Sequence, residues 1–280
     1  MMLDQATASG FYRITPLRED EFNWITQFLN EKTGIQLKDG KQAMVMGRLD
    51  KRLRMLDMTS YGDYFRRLVE PGNELELKLA IDLLTTNETY FFREAQHFDF
   101  LCSQILPKHP ISKPLRIWSA ACSSGEEVYT LAFLLAEYFP SNAWEIIGTD
   151  ISSRVLKKAQ EGLYHLSASE NIPPGLLKKY CFKGVDEYDG FLLIDPALRK
   201  RVKFQHANLI GELPDIGKFD IIFLRNVMIY FEQDTKQRVL DRLQNLLVPS
   251  GYFIISHTES LNGFKTPFKM IKPSIYQKPL

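Results

Sequence analysis

The sequence is short of cysteine, of net charge, of long apolar runs and of any dinucleotide fingerprint. Each shortage narrows what it can be. Three cysteines stand among 280 residues, Cys102, Cys122 and Cys181, with no C-x-x-C pair and no neighbouring histidine. That offers neither a disulfide framework nor metal-ligand spacing, and it suits reduced thiols in a cytoplasm. The formal net charge is +1, which argues against a dedicated nucleic-acid binder. No apolar run is long enough to span a bilayer, and residues 1–14, read as a loose leader, lack the apolar segment of a secretory signal. Internal repeats and low-complexity stretches are absent. The expectation is a cytoplasmic monomer that neither enters a membrane nor binds nucleic acid. Hydrophobic residues make up 45% and charged residues 25%, enough for one large core and a smaller one.

What is present is organised around Leu115–Asp150. Leu115-Arg116-Ile117-Trp118 is an apolar run of strand length. Small or polar residues follow from Ser119 to Gly125. Tyr129, Ala132, Phe133 and Ala136 then recur at helical spacing, with Glu126 and Glu127 in the first turn and Pro140 as the stop. Trp144–Gly148 reads as a second strand, and Asp150 sits just past it. A strand, tight loop, helix, strand and acid in that order form the nucleoside-binding half of a doubly wound α/β fold. The loop lacks G-x-G-x-x-G, and a pyrophosphate would meet Glu126 and Glu127 at the helix start. A cationic nucleoside such as S-adenosylmethionine would not be repelled, so the stretch favours that methyl donor over NAD. The plainer reading is an α/β domain with an ordinary tight turn. Cys122 in the loop is either a reactive thiol or simply a small residue.

The pattern before this stretch is helical. Thr15-Pro16 predicts a helix start and Gly34 a stop, with Phe22, Ile25, Phe28 and Leu29 on the apolar face. A second helix is predicted over about Lys41–Leu56, burying Leu49, Leu53 and Leu56. Its other side carries Arg48, Lys51, Arg52 and Met55 on one face. That basic face is either solvated or a docking surface for an acidic partner. Ser60 with Asp63 predicts a capped third helix, and Asn73 opens a fourth through Leu84. Residues 15–85 thus read as a small all-α domain. Residues 86–110 read as a linker and connecting helix. The segment 86–94, T-N-E-T-Y-F-F-R-E, suits either a ligand cleft or a capped start to the helix Ala95–Leu106.

Residues 111–280 read as the α/β domain. Within it, about 163–200 break the βα rhythm. Tyr180–Lys183 and Phe191–Ile194 predict a hairpin, hence a small antiparallel insert. The parallel sheet resumes at Val202–His206 and Phe219–Leu224. A helix at Asp234–Leu247 is stopped by Pro249 and Gly251, a strand follows at Gly251–Ser256, and Ser274–Lys278 closes the sheet as an antiparallel edge. Gly125, Asp150, Asn208 and Arg225-Asn226 then fall at successive strand ends, which form one crevice in an open α/β sheet. The Asp-Pro-Pro-Tyr or Asn-Pro-Pro-Tyr loop of amino-group methyltransferases is absent. Arg225-Asn226-Val227-Met228-Ile229-Tyr230 stands there instead, and a guanidinium in that place suits an anionic acceptor such as a carboxylate.

With these motifs in view, T-N-E-T-Y-F-F-R-E at 86–94, W-S-A-A-C-S-S-G-E-E at 118–127, G-T-D at 148–150, N-L at 208–209, R-N-V-M-I-Y-F at 225–231 and H-T-E-S at 257–260, the chain resembles the CheR family. These are the chemoreceptor glutamate O-methyltransferases of bacterial chemotaxis. The resemblance runs from about residue 15 to the end. It implies an all-α N-terminal domain and a Rossmann-like methyltransferase sheet with a small β insert. It implies donor contacts from Asn87, Thr89, Arg93, Glu127, Asp150, Asn208, Leu209, Arg225 and Asn226, with Tyr230 near the transferred methyl. Arg93, Arg225 and Tyr230 are the expected catalytic residues, and Arg48, Lys51 and Arg52 the expected receptor-docking residues. The implied cofactor is S-adenosylmethionine, leaving S-adenosylhomocysteine, with no metal. The implied partners are the helical cytoplasmic region of chemoreceptors and, at the β insert, a receptor C-terminal peptide. Val128 stands where many relatives have Pro, and Thr258 where Ser is common. Neither change removes a polar group that the chemistry needs.

A glutamate acceptor is ionised at neutral pH, its unperturbed pKa being about 4.3, so no general base is required. His206 and His257, near strand ends, are the rival bases. Two other functions remain open on the same fold: methylation of a different carboxylate, and a non-catalytic donor-binding module.

Overall fold

The computed structural model describes residues 14–110, 112–139 and 144–280. The expected leader, apart from Ile14, and the expected helix stop at Pro140 lie outside the described residues. The chain divides into two compact units. One holds the residues through Lys32 together with Gln36–Thr85, and the other holds Thr33–Ile35 together with Thr86–Leu280.

The first unit is helical: α1 (Glu19–Thr33), α2 (Gln42–Met55), α3 (Tyr61–Val69) and α4 (Glu74–Leu84). The helix start expected at Thr15-Pro16 comes too early. Thr15 instead gives both its N–H (2.8 Å) and its hydroxyl (2.9 Å) to the Thr59 carbonyl. Glu21, at the third position of α1, folds back to accept the Arg18 N–H at 3.0 Å and caps the helix from within. Ser60 accepts the Asp63 N–H at 3.3 Å and caps α3 as expected. Tyr61, Tyr64, Phe65 and Leu68 are buried on α3, and Val45, Leu49 and Leu53 on α2. Leu56, expected among the latter, is the half-buried C-cap. Glu76 on α4 is the polar centre of this unit. It takes the Tyr64 hydroxyl at 2.8 Å and both arms of the Arg52 guanidinium.

The second unit begins before its sheet. Residues 86–110 contribute Phe91, Phe98, Leu101 and Ile105 to its core. The connecting helix is broken into α5 (Gln96–Phe100), a π-helical turn at Leu101–Ile105 and a 3₁₀ turn at Leu106–Lys108. Pro107 has no N–H and crowds the carbonyl four residues back, so the last turns cannot stay α-helical. The alternation then follows as β1 (Leu115–Ser119), α6 (Glu126–Tyr138), β2 (Trp144–Asp150) and α7 (Ser153–Glu161). Next come β3 (Leu163–His165), α8 (Pro174–Tyr180), β4 (Cys181–Lys183), β5 (Phe191–Ile194), α9 (Pro196–Arg199) and β6 (Val202–His206). The unit ends with β7 (Phe219–Leu224), α10 (Gln233–Leu246), β8 (Leu247–Ile255), β9 (Lys269–Lys272) and β10 (Ile275–Gln277).

The main sheet has the order β6-β2-β1-β7-β8-β10-β9. The first five strands are parallel, and β10 and β9 are antiparallel additions. Continuous apolar runs make β1, β2 and β7 buried on both faces, as helix-covered strands must be. Trp118 is fully buried on β1, and its indole N–H finds the Thr149 hydroxyl at 3.0 Å. Three expectations need correction. The edge strand is β9, with β10 inside it. β8 begins at Leu247, straight after α10, and a register shift opposite Phe219 and Ile221 absorbs Pro249 and Gly251. The insert has three strands in the order β3-β5-β4, because Leu163–His165 supplies a partner for β5.

Candidate functional site

The C-terminal ends of the parallel strands share one edge of the sheet. The chain runs from β1 through β2 to β6 on one side and then returns to β7 and β8 on the other, so the strand order reverses between β1 and β7. Ligands of open α/β sheets bind at such a reversal. Glu127, on α6 after β1, and Arg225, just past β7, meet across it with Nη1 and Oε2 2.7 Å apart. The other Glu127 oxygen accepts the Ser119 hydroxyl at 2.7 Å. Arg225 was expected to present an open guanidinium to an anionic acceptor. It is buried, with Glu94 Oε2 3.3 Å from Nη2, the Arg93 carbonyl bonded to that same nitrogen and the Phe98 ring 5.6 Å away. Its charge is matched inside the protein by two carboxylates, because a buried cation without partners would be far too costly.

The loop after β1 carries two left-handed residues, Ser123 (φ +49°) and Gly125 (φ +95°). The turn brings the Ser123 N–H to Asp150 Oδ2 at 2.9 Å, while Asp150 Oδ1 accepts the Ser152 N–H at 2.9 Å. The Ser123 hydroxyl donates to the Asn87 carbonyl at 3.0 Å and ties the 86–94 segment to this loop. Packing also demands Gly125: a Cβ there would meet the Ala159 Cβ at 2.8 Å. The two acids of the helix start have different fates. Glu126 is buried, takes the Ser124 hydroxyl and has its pKa raised by burial. Glu127 faces Arg225. Cys122 is the small-residue case: burial, then Asp150 and Glu127, push its thiol well above the ordinary value.

The remaining expected residues lie on the flanking loops. Arg93 is half-buried, with Nη1 on the Glu88 carbonyl at 2.7 Å and its guanidinium 5.6 Å from the Tyr90 ring. Thr89 is half-buried in the same segment. α5 has no side-chain cap, and Phe92 and Glu94 are left-handed at φ +58°, so the segment is a strained turn rather than a capped helix start. The Ala207 N–H bonds the Asp150 carbonyl at 3.0 Å, which places Asn208 and buried Leu209 beside β2. Asn226, left-handed at φ +56°, reaches Glu94 Oε1 at 3.5 Å. Tyr230 ends the 3₁₀ turn Met228–Tyr230 and is half-buried.

Sequence reasoning gave no role to Glu94 or Glu259, although both lie in the quoted motifs. Glu259 accepts the N–H groups of Asn226 (3.2 Å), Val227 (3.1 Å) and Ser256 (2.9 Å) and so binds the loop after β7 to the end of β8. An acid set among loop residues at a strand end was the available signal. Glu94, His97 and His257 offer ligand atoms within 4.8 Å of one another. A metal ion there would face the Arg225 guanidinium beside Glu94, which opposes it. The balance at the strand ends is Glu94, Glu127 and Asp150 against one buried guanidinium, an environment that fits a cationic ligand better than a pyrophosphate.

The basic face lies in the helical unit, and most of its charge is used there. Arg48 Nη1 donates to the Leu84 (2.7 Å) and Thr85 (3.1 Å) carbonyls at the end of α4, and Arg52 pairs with Glu76. Lys51 is exposed. No helix among the described residues is long and apolar enough to cross a membrane.

Comparison with known proteins places this geometry. Residues 20–85 match the family model of the CheR methyltransferase all-alpha domain, and residues 87–277 that of the CheR methyltransferase SAM binding domain. A chemotaxis protein methyltransferase of Salmonella typhimurium is 36% identical over 263 residues, covering 93% of this chain and 90% of the relative. One from Borreliella burgdorferi is 36% identical over 273 residues, covering 94% and 95%. Chemotaxis protein methyltransferase 2 of Pseudomonas aeruginosa is 40% identical over 247 residues, covering 87% of each. The chain belongs to the CheR methyltransferase family.

Proposed function

We propose that this chain methylates glutamate side chains of bacterial chemoreceptors, giving glutamate methyl esters in chemotactic adaptation. The observation that carries the reading is the carboxylate-rich strand-end region, where Glu127 pairs with Arg225 across the reversal of the sheet and Asp150, at the end of β2, accepts the Ser123 N–H from the loop after β1. The donor, S-adenosylmethionine, supplies a methyl group on a sulfonium, and its transfer to a carboxylate releases no proton. Asp150 holds the ribose hydroxyls. Glu127, Asn87, Thr89, Asn208, Leu209 and Asn226 frame the rest of the donor. Arg225 orients Glu127 and the 93–94 backbone rather than the acceptor. Arg93 is then the guanidinium left to orient the acceptor, and the Tyr230 hydroxyl fixes the acceptor by hydrogen bonding. The reactants carry opposite charges that vanish in the products, so a site with little water favours the step, and alignment supplies the rest.

The acidic helical region of a receptor would meet the helical unit through Lys51. The insert is read as a tether. Among the described residues β4 pairs only with β5, and Phe182 on it is exposed. An extended receptor tail could add there as a further strand.

The deciding experiment is transfer of labelled methyl to receptor cytoplasmic fragments, read as base-labile ester. Label on glutamate supports the reading. Label on a different carboxylate substrate alone favours another acceptor, and donor binding without transfer to any carboxylate favours a regulatory module.

A further inference from the structure

One side chain of the β insert reaches the loop after β1. Tyr164, on β3, is buried, and its hydroxyl donates to the Ser124 carbonyl at 2.7 Å. Two rings stand edge-on to the phenol, Phe91 at 5.1 Å and Tyr129 at 6.2 Å between centroids. Burial, then the charge of Glu126, push the pKa of Tyr164 well above the ordinary value, so the hydroxyl keeps the proton that it donates.

The peptide group that receives this bond is a sensitive one. The Ser124 carbonyl and the Gly125 N–H belong to one planar unit and point opposite ways. The N–H is bonded to the Cys122 carbonyl at 3.0 Å and the carbonyl to Tyr164, so the unit is held at both ends. A peptide group that precedes glycine turns over easily, since glycine takes either sign of φ, and Gly125 stands at φ +95°. On one side of the unit is Ser123, whose N–H is bonded to Asp150 at 2.9 Å. On the other is the first turn of α6, which carries Glu127 to Arg225. A rotation of this one unit would shift both.

We infer that Tyr164 is a positioning residue for the donor site: by fixing the Ser124–Gly125 peptide it keeps the loop after β1 in the form that sets Asp150 and Glu127. The insert then builds part of the donor site, apart from any tether it offers. Tyr164 acts through the loop and not on the reacting atoms. The inference rests on the reading that this loop and Asp150 belong to the donor site.

The same aromatic group supplies a control. Tyr129 is also buried and also donates its hydroxyl to a backbone carbonyl, that of Ala159 at 2.6 Å, but Ala159 lies on α7 and not in the loop. The test compares Tyr164→Phe with Tyr129→Phe in the full chain, each losing a hydroxyl and keeping its ring, with S-adenosylhomocysteine as the probe. Calorimetry should find affinity lowered about fivefold in Tyr164→Phe, the worth of one neutral hydrogen bond, and within about twofold of the wild type in Tyr129→Phe. In methyl transfer to receptor fragments, the KM for the donor should rise by a like factor in Tyr164→Phe with kcat nearly unchanged. A merely structural role would lower the binding stoichiometry and kcat and leave affinity and KM as they were. That result overturns the inference, as do equal affinity losses in the two variants or no loss in either. Should Tyr164→Phe fail to fold, amide exchange of the wild-type protein decides. Coupling is reciprocal, so saturating S-adenosylhomocysteine should slow exchange in 163–166 more than in 275–277, on the other side of the sheet. Equal slowing overturns the inference. Asp150→Ala, measured alongside, tells the two failures apart: undiminished affinity there overturns the donor-site reading itself.

Discussion

Glu127 Oε2 and Arg225 Nη1 stand 2.7 Å apart, the one carried on the helix that follows β1 and the other on the loop that follows β7. Their pairing crosses the reversal of the sheet, so it holds the two halves of the site in register. Arg225→Met would leave Glu127 and Glu94, both half-buried, without the cation they share. A loss of about 3–5 kcal/mol in urea unfolding is expected, with loss of S-adenosylhomocysteine affinity. Arg225→Lys should not restore either, since an ammonium cannot reach both carboxylates and the Arg93 carbonyl at once. Wild-type stability in Arg225→Met would contradict the arrangement.

Asp150→Ala removes an acceptor that two backbone N–H groups already use, those of Ser123 and Ser152. It should therefore cost stability, about 1–3 kcal/mol, as well as donor affinity. Calorimetry with S-adenosylhomocysteine and a denaturation curve separate the two effects. Unchanged affinity in a folded variant would remove Asp150 from the donor site.

Tyr230→Phe should slow methyl transfer more than it weakens donor binding, because only a hydroxyl is lost. The single-turnover rate should be nearly flat from neutral pH down toward the glutamate value of about 4.3, below which the acceptor is protonated. His97, at about 3, is neutral throughout that range. A rate that falls through a pKa near 6.5, and that His206→Ala abolishes with donor binding intact, would point to a general base.

Glu76 has its pKa lowered chiefly by the Arg52 hydrogen bond, with the Tyr64 hydroxyl acting the same way and burial opposing. A carboxyl depressed on folding contributes stability that is fully present above its unfolded value and is lost as pH falls through the folded one. The loss should therefore begin below about pH 4.3. Glu76→Gln should be less stable at neutral pH and should show a shallower acid limb in thermal unfolding. Parallel curves for the two proteins would exclude this role.

Receptor docking is best probed at Lys51. Reversing Arg52 would set a glutamate against Glu76 and disturb the helical unit itself. Lys51→Glu should slow receptor methylation at low ionic strength and spare S-adenosylhomocysteine affinity, and the difference should shrink with added salt. Equal rates would return the face to solvent.

The parallel sheet was legible because continuous apolar runs and the small-residue loop leave few alternatives. Asp150, Asn208 and Arg225-Asn226 were legible because strand ends can be counted. What escaped is what depends on long-range partners. β3 is too short to stand out, and only pairing with β5 makes it a strand. The start of α1 was misplaced because Thr15 has a better partner in Thr59, far along the chain. Arg225 looked available because nothing local says that Glu94 and Glu127 will close on it. The basic stripe on α2 was real as a spacing, yet Arg48 and Arg52 turn to α4, which periodicity cannot reveal.

The segment before the first strand carries the Asn87 carbonyl to Ser123, and Glu94 and the Arg93 carbonyl to Arg225. A fragment cut at the start of β1 would thus keep a complete sheet and forfeit a wall of its own site. Anyone grafting this module onto another N-terminal domain should place the seam ahead of Asn87, and a chimera joined at residue 111 should be inert however well its strands assemble.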